Sequence, residues 1–392
     1  MSNSENNGLH KISWLTLFYD VILVAVIARA TYIYGKYPTW FTLVFISLTL
    51  LAVYVLWAST TLELMLSPEE TWPRRALLFV QICALLLAGL AMYRGGGISD
   101  QWGFLGLAVS FASVGIFTLM RARDPFSDGR FVRPLAVTSF GTAIVFGVAA
   151  LFPMKFMIGA VEIAWVFYAV GLGWAFVGML IWAPRLITAP TRVQRTALNE
   201  RFGVLLLIVL GDAFLQLLES LGALREIPAP GFVILSLVFV ASVWLLYFPT
   251  MSEPELPTTP LTARIRIAAH FVLMLSAAYS IVAYVNLSTV LFGPNYKEGV
   301  HWTTWPVAGV AVAVLVLTLL HDKRWSARVW AHAVTSVVLI GMAVQGRLSD
   351  DLVREIDLVV ANVVILVDAL VALMLSRRAL ARGVPAPTPD KE

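Results

Sequence analysis

Twelve apolar runs, each of roughly 18 residues or more, follow one another along the chain, and each is long enough to cross about 30 Å of hydrocarbon as a helix. They cover residues 14–33, 39–61, 74–93, 103–121, 132–152, 156–182, 199–221, 231–250, 264–287, 302–320, 327–346 and 356–376. Short alternating segments of the outer-membrane barrel type are missing. The fold class that follows is all-α: a polytopic membrane bundle of about twelve transmembrane helices. Composition agrees, with 59% hydrophobic and 13% charged residues in 392, against roughly 45–50% and about 25% in soluble domains.

The connections are short and leave no room for a soluble domain. The longer ones, such as "MLSPEETWPRR", "RARDPFSDGRFVRP" and "PTMSEPELPTTPLTAR", are rich in Pro, Arg and small polar residues. Residues 1–13 read as an N-terminal segment, 14–378 as a single transmembrane domain, and the Pro-rich 379–392 as a disordered tail. No cleavable leader is evident, so the first run reads as a retained anchor. Of the 28 Lys and Arg residues, 19 fall on the side shared by both termini and 7 on the other. That asymmetry puts both termini in the cytoplasm. It also accounts for the net charge of +4 without nucleic acid. The single cysteine, Cys83, lies in an apolar run and reads as packing.

Ionisable side chains inside such runs are costly, by about 2.5–3.5 kcal/mol each on insertion scales, and normally face protein or water. Asp20, Glu162, Asp212, Glu219, His270, His332 and Asp368 are the candidates, with Arg29 and Arg201 nearer helix ends. At about 100° per residue, Arg201, Asp212, Gln216 and Glu219 share one stripe of the seventh run, so that face must look inward. Asp357 and Asp368 repeat the spacing on the twelfth. A series of such groups from one side of the bilayer to the other is the composition that a proton or cation route requires. Zinc-protease, nucleophile-elbow and P-loop motifs are missing, so no enzyme class, cofactor or metal is indicated.

Three stretches carry a family likeness. "SWLTLFYDVILVAVIARA", Ser13 to Ala30, resembles the first-helix signature of the bacterial low temperature requirement A family, Trp-Leu-Glu-Leu-Phe-Phe-Asp-Leu. "NERFGVLLLIVLGDAFL", Asn199 to Leu215, resembles its second signature, and "VWLLYF", Val243 to Phe248, its third. Position by position, Trp14, Phe18, Asp20, Glu200, Arg201, Gly203, Gly211 and Asp212 match or nearly match. Thr16 and Asp212 stand where the family commonly has Glu, and Pro249 where an acidic residue is usual. The resemblance implies a multi-pass protein of the bacterial cytoplasmic membrane, tied by the family's name to growth in the cold.

The expectation is a transporter or channel-type protein with an interior route lined by Asp20, Arg201, Asp212, Gln216, Glu219, His270 and Asp368. Its partners are the lipid bilayer and a small solute or ion of unknown identity, with the oligomeric state open. One rival is a non-transporting membrane protein in which the charges lock helices together. A second is a lipid-modifying enzyme whose loop "RARDPFSDGRFVR", Arg121 to Arg133, holds an anionic headgroup.

Overall fold

The computed structural model of the protein describes residues 14–36, 40–66, 71–94, 98–122, 129–152, 157–158, 161–188, 200–212, 215, 230–251, 259–290, 304–322, 325–345 and 351–381. The N-terminal segment 1–13 and residues 382–392 of the expected tail lie outside them. Twelve helices are present among the described residues, one for each apolar run. They are α1 (Trp14–Lys36), α2 (Trp40–Leu66), α3 (Trp72–Arg94), α4 (Ile98–Ala122), α5 (Gly129–Ala149) and α6 (Ile163–Thr188), then α7 over residues 200–212. The rest are α8 (Pro230–Met251), α9 (Pro260–Val290), α10 (Thr304–Asp322), α11 (Ala327–Gln345) and α12 (Asp351–Ala381). Nine of these, counted among the described residues, hold a stretch long and apolar enough to span a bilayer; Val233–Pro249 in α8 is a shorter one.

Helix ends follow local chemistry. Helix α9 starts at Pro260, four residues before the expected 264, because Thr259 caps it: the Thr262 amide donates to Thr259 Oγ1 at 3.2 Å. Proline at the first helical position gives up an N–H that has no intrahelical acceptor anyway. Ser326 does the same for α11, accepting from the Val329 amide at 3.2 Å. Helix α12 reaches Ala381, three residues into the expected tail. One expectation is corrected outright. Residues 157–158 and 161–162 do not open the sixth helix: Met157–Ile158 (β1) and Val161–Glu162 (β2) pair as a two-stranded antiparallel ladder, and α6 begins at Ile163. Gly159, between the strands in sequence, lowers the helix preference of that stretch. Glu162 is thus a strand residue paired with Met157, not a charge inside a membrane helix.

The chain forms two compact units. The first comprises Met1–Ala30 and Val44–Ala189, the second Thr31–Leu43 and Pro190–Glu392. In the first, α3, α4, α5 and α6 pack in chain order. Small residues let them approach closely. A Cβ at Gly106 of α4 would lie 2.4 Å from the Ala84 carbonyl oxygen of α3, and one at Gly178 of α6 would lie 2.3 Å from Thr138 of α5. Aromatic rings fill the centre, with Phe104 and Tyr168 5.1 Å apart and Phe111 and Phe146 5.9 Å apart. In the second unit, α10 packs against α9 and α11, and α12 against α8 and α11.

Helices α11 and α12 turn mainly small and polar side chains inward and large apolar ones outward. Helix α12 buries Ala361, Asn362, Ile365, Asp368, Ala369 and Ala372 while exposing Val359, Val363, Val367, Leu370 and Met374. Helix α11 buries His332, Thr335 and Ser336 and exposes Trp330, Val334 and Val337. Both faces repeat at helical spacing, so each helix has one side suited to protein and one suited to hydrocarbon. Cys83 is on an exposed face of α3 and takes no part in packing the interior.

Candidate functional site

Buried polar side chains occur in both units. In the second, the imidazole of His332 on α11 meets the carboxylate of Asp368 on α12, with Nδ1 2.8 Å from Oδ2 and 3.0 Å from Oδ1. Both residues are buried, at 1% and 4% exposure. Asp212, near the end of the described part of α7, is also buried, and its Oδ2 accepts a hydrogen bond from Thr31 Oγ1 at 3.0 Å. A neutral hydroxyl 181 residues away is thus one partner of Asp212.

His270 lies at a third point in the same unit. Its Nε2 is 3.1 Å from the Tyr247 hydroxyl of α8, and its Nδ1 is 2.8 Å from the Arg266 carbonyl, which can only accept. Nδ1 therefore carries the proton, Nε2 is left as the acceptor, and Tyr247 donates to it. The Phe202 ring of α7 lies 4.2 Å from the imidazole, centroid to centroid. A Cβ at Gly203 would come to 3.1 Å from Phe248 Cε1. Residues of the second and third signature stretches, 202–203 and 247–248, therefore converge around His270.

The remaining expected residues divide. Arg201 is half-buried on α7 and Glu200 is exposed at its start. Gly211 has open space where a Cβ would go, and Phe18 is exposed on α1. Trp14 begins α1, but its side chain, like Gln216 and Glu219, lies outside the described residues. Asp20 is buried in the first unit, where Trp57 Nε1 donates to its Oδ1 at 3.3 Å.

Two first-unit clusters were missed by the sequence reading. Glu63 of α2 pairs with Arg121 of α4 at 3.3 Å and accepts from Thr118 Oγ1 at 2.9 Å, all three being buried. Gln81 of α3 donates from Nε2 to Thr60 Oγ1 at 2.8 Å and to Tyr19 Oη at 3.3 Å. The available signal was "ASTTLE", Ala58 to Glu63, a polar run across the end of the expected span 39–61, whereas α2 continues to Leu66. Arg121, expected in a headgroup-binding loop, is instead buried against Glu63, which weighs against that enzyme reading.

Among the described residues, no three His, Cys, Asp or Glu side chains gather as a metal site. The family model of the bacterial low temperature requirement A protein (LtrA) matches residues 11–375. No curated protein and no solved structure matches the chain.

Proposed function

The chain belongs to the bacterial low temperature requirement A family, and from that premise we propose that it is a multi-pass protein of the cytoplasmic membrane that moves a small solute or ion past buried polar groups, with both termini in the cytoplasm. The observation that carries this reading is the His332–Asp368 pair. It lies inside two stretches suited to span a bilayer, Ala327–Gln345 and Val359–Arg378. An imidazole and a carboxylate in contact can exchange a proton, and titratable groups at membrane depth mark ion and proton pathways. Asp212 supplies a further carboxylate in the same unit.

The test is flux into liposomes holding the purified protein, with proton entry followed by an enclosed pH dye and cation entry by isotope. Asp368→Asn and His332→Gln should abolish flux while the protein still elutes as one sharp species. Unchanged flux in both removes the pair from any route.

The rival with support of its own is a non-transporting protein whose charges lock helices. It is favoured by the cross-helix partner of each buried carboxylate described: Asp20 with Trp57, Glu63 with Arg121, Asp212 with Thr31 and Asp368 with His332. On that reading the wild-type protein shows no flux for any tested ion and the same substitutions cost only stability. Impaired growth of a deletion strain at low temperature alone would fit either reading, so flux decides between them.

A further inference from the structure

His332 uses only one of its two ring nitrogens. Nδ1 faces the Asp368 carboxylate, 2.8 Å from Oδ2 and 3.0 Å from Oδ1, while Nε2 is buried and meets no hydrogen-bonding group. Beyond each other, the two side chains make no polar contact among the described residues. The protons of such a coupled pair belong to it as a whole. With Asp368 ionised and the ring neutral, Nδ1 donates to the carboxylate and Nε2 is bare. One added proton gives either an imidazolium beside a carboxylate or a neutral ring beside a carboxylic acid that donates to Nδ1. In both forms Nε2 bears a hydrogen. A third form, with the acid O–H turned away from the ring, strands a buried donor. Uptake and release are therefore registered at Nε2, whichever partner holds the extra charge.

Uptake also changes the charge of the site. The unloaded pair carries one buried negative charge; the loaded pair is neutral, the form whose burial costs less. Neighbouring ionisable groups do not offset that change. Helix α11 packs against α10 and α12, and α12 also against α8 and α10. On these helices, among the described residues, Asp322 is matched by Arg328 and Tyr247 by His270, and Arg377 and Arg378 are exposed. His321 and Asp357 make no polar contact with the pair. The ring itself excludes a metal ion from the same role. Its two nitrogens point away from each other, so Nε2 and the carboxylate cannot converge on one ion, as coordination requires.

We propose, resting on the transport reading, that the proton is the ion this protein moves, taken up and released at His332 Nε2, with Asp368 as the fixed counter-charge that orients the ring. The step needs no co-reactant: the Nε2 lone pair takes H⁺ and later returns it, and no other bond is made or broken.

The test uses the full-length protein in liposomes. Proton entry down an imposed pH gradient is read by an enclosed pH dye, with valinomycin and potassium balancing charge. Sodium and rubidium entry is read by isotope in parallel vesicles without valinomycin. Wild type should pass protons and neither metal ion, and His332→Gln should pass no more protons than protein-free vesicles. In protein with isotope-labelled histidine nitrogens, the magnetic resonance signals missing from His332→Gln should show Nε2 gaining a hydrogen as pH falls. Sodium or rubidium entry would overturn the proton assignment and leave transport standing. Entry of none of the three would remove the ion route altogether, and this assignment with it. Wild-type proton entry in His332→Gln, or an Nε2 signal unchanged over the whole pH range in which the protein stays folded, would also reject it. If His332→Gln does not fold, Asp368→Glu should keep proton entry and Asp368→Asn lose it; equal entry in those two variants rejects the assignment.

Discussion

His332 and Asp368 face each other from adjacent helices with Nδ1 2.8 Å from Oδ2, and each is almost wholly removed from the surface. Removing one partner leaves a buried ionisable group alone, so Asp368→Ala should cost roughly 3–5 kcal/mol. Replacing both by Leu should recover most of that loss, because two apolar side chains need no partner. Denaturant unfolding of the single and double variants in a double-mutant cycle measures the coupling; simple additivity would mean that the pair does not interact.

The Glu63–Arg121 pair allows a parallel comparison with a graded control. Glu63→Ala strands a buried guanidinium and should lower stability by roughly 3–5 kcal/mol. Thr118→Val removes one hydrogen bond to Glu63 and should cost only about 1 kcal/mol. The double exchange of Glu63→Arg with Arg121→Glu should regain part of the yield lost in either single variant, as read by size-exclusion elution.

Helix spacing in the first unit depends on Gly106. An added Cβ would meet the Ala84 carbonyl oxygen at 2.4 Å and the Ala88 amide nitrogen at 2.9 Å, and backbone atoms cannot swing aside. Gly106→Ala should therefore destabilise by about 1–3 kcal/mol. Gly147→Ala, with nothing within 4 Å of its added Cβ, should be neutral or gain up to about 1 kcal/mol from better helix propensity. Equal thermal midpoints for the two variants would contradict this packing.

At His270 the Tyr247 hydroxyl is the group to remove. Tyr247→Phe keeps the ring and deletes the donor to Nε2, so a loss of about 0.5–1.7 kcal/mol is expected, the range of interhelical hydrogen bonds in membrane proteins. His270→Leu together with Tyr247→Phe should cost less than the sum of the single changes. Thermal unfolding followed by tryptophan fluorescence would read both.

The number and approximate placement of the helices were legible in the sequence, because hydrophobic length is a local property that needs no knowledge of neighbours. The inward turn of Asp20, Asp212, His270 and Asp368 was legible for the same reason: hydrocarbon penalises an exposed charge wherever the chain later folds. The early start of α9 at Pro260 could have been read from Thr259 and the proline, and was hidden by treating the whole Pro-rich stretch as a connection. Glu162 was misplaced because an apolar run next to a helix resembles helix, while the β1–β2 ladder takes it out.

What the chain alone determined is that these helices need a hydrocarbon solvent and that certain faces must avoid it. Which group satisfies which was decided only by tertiary structure. Thr31 reaches Asp212, Arg121 reaches Glu63 and Gln81 reaches Tyr19 across 181, 58 and 62 positions. Hydrogen bonds and ion pairs act over about 3 Å, so such partners are chosen by how helices pack and not by where residues lie along the chain.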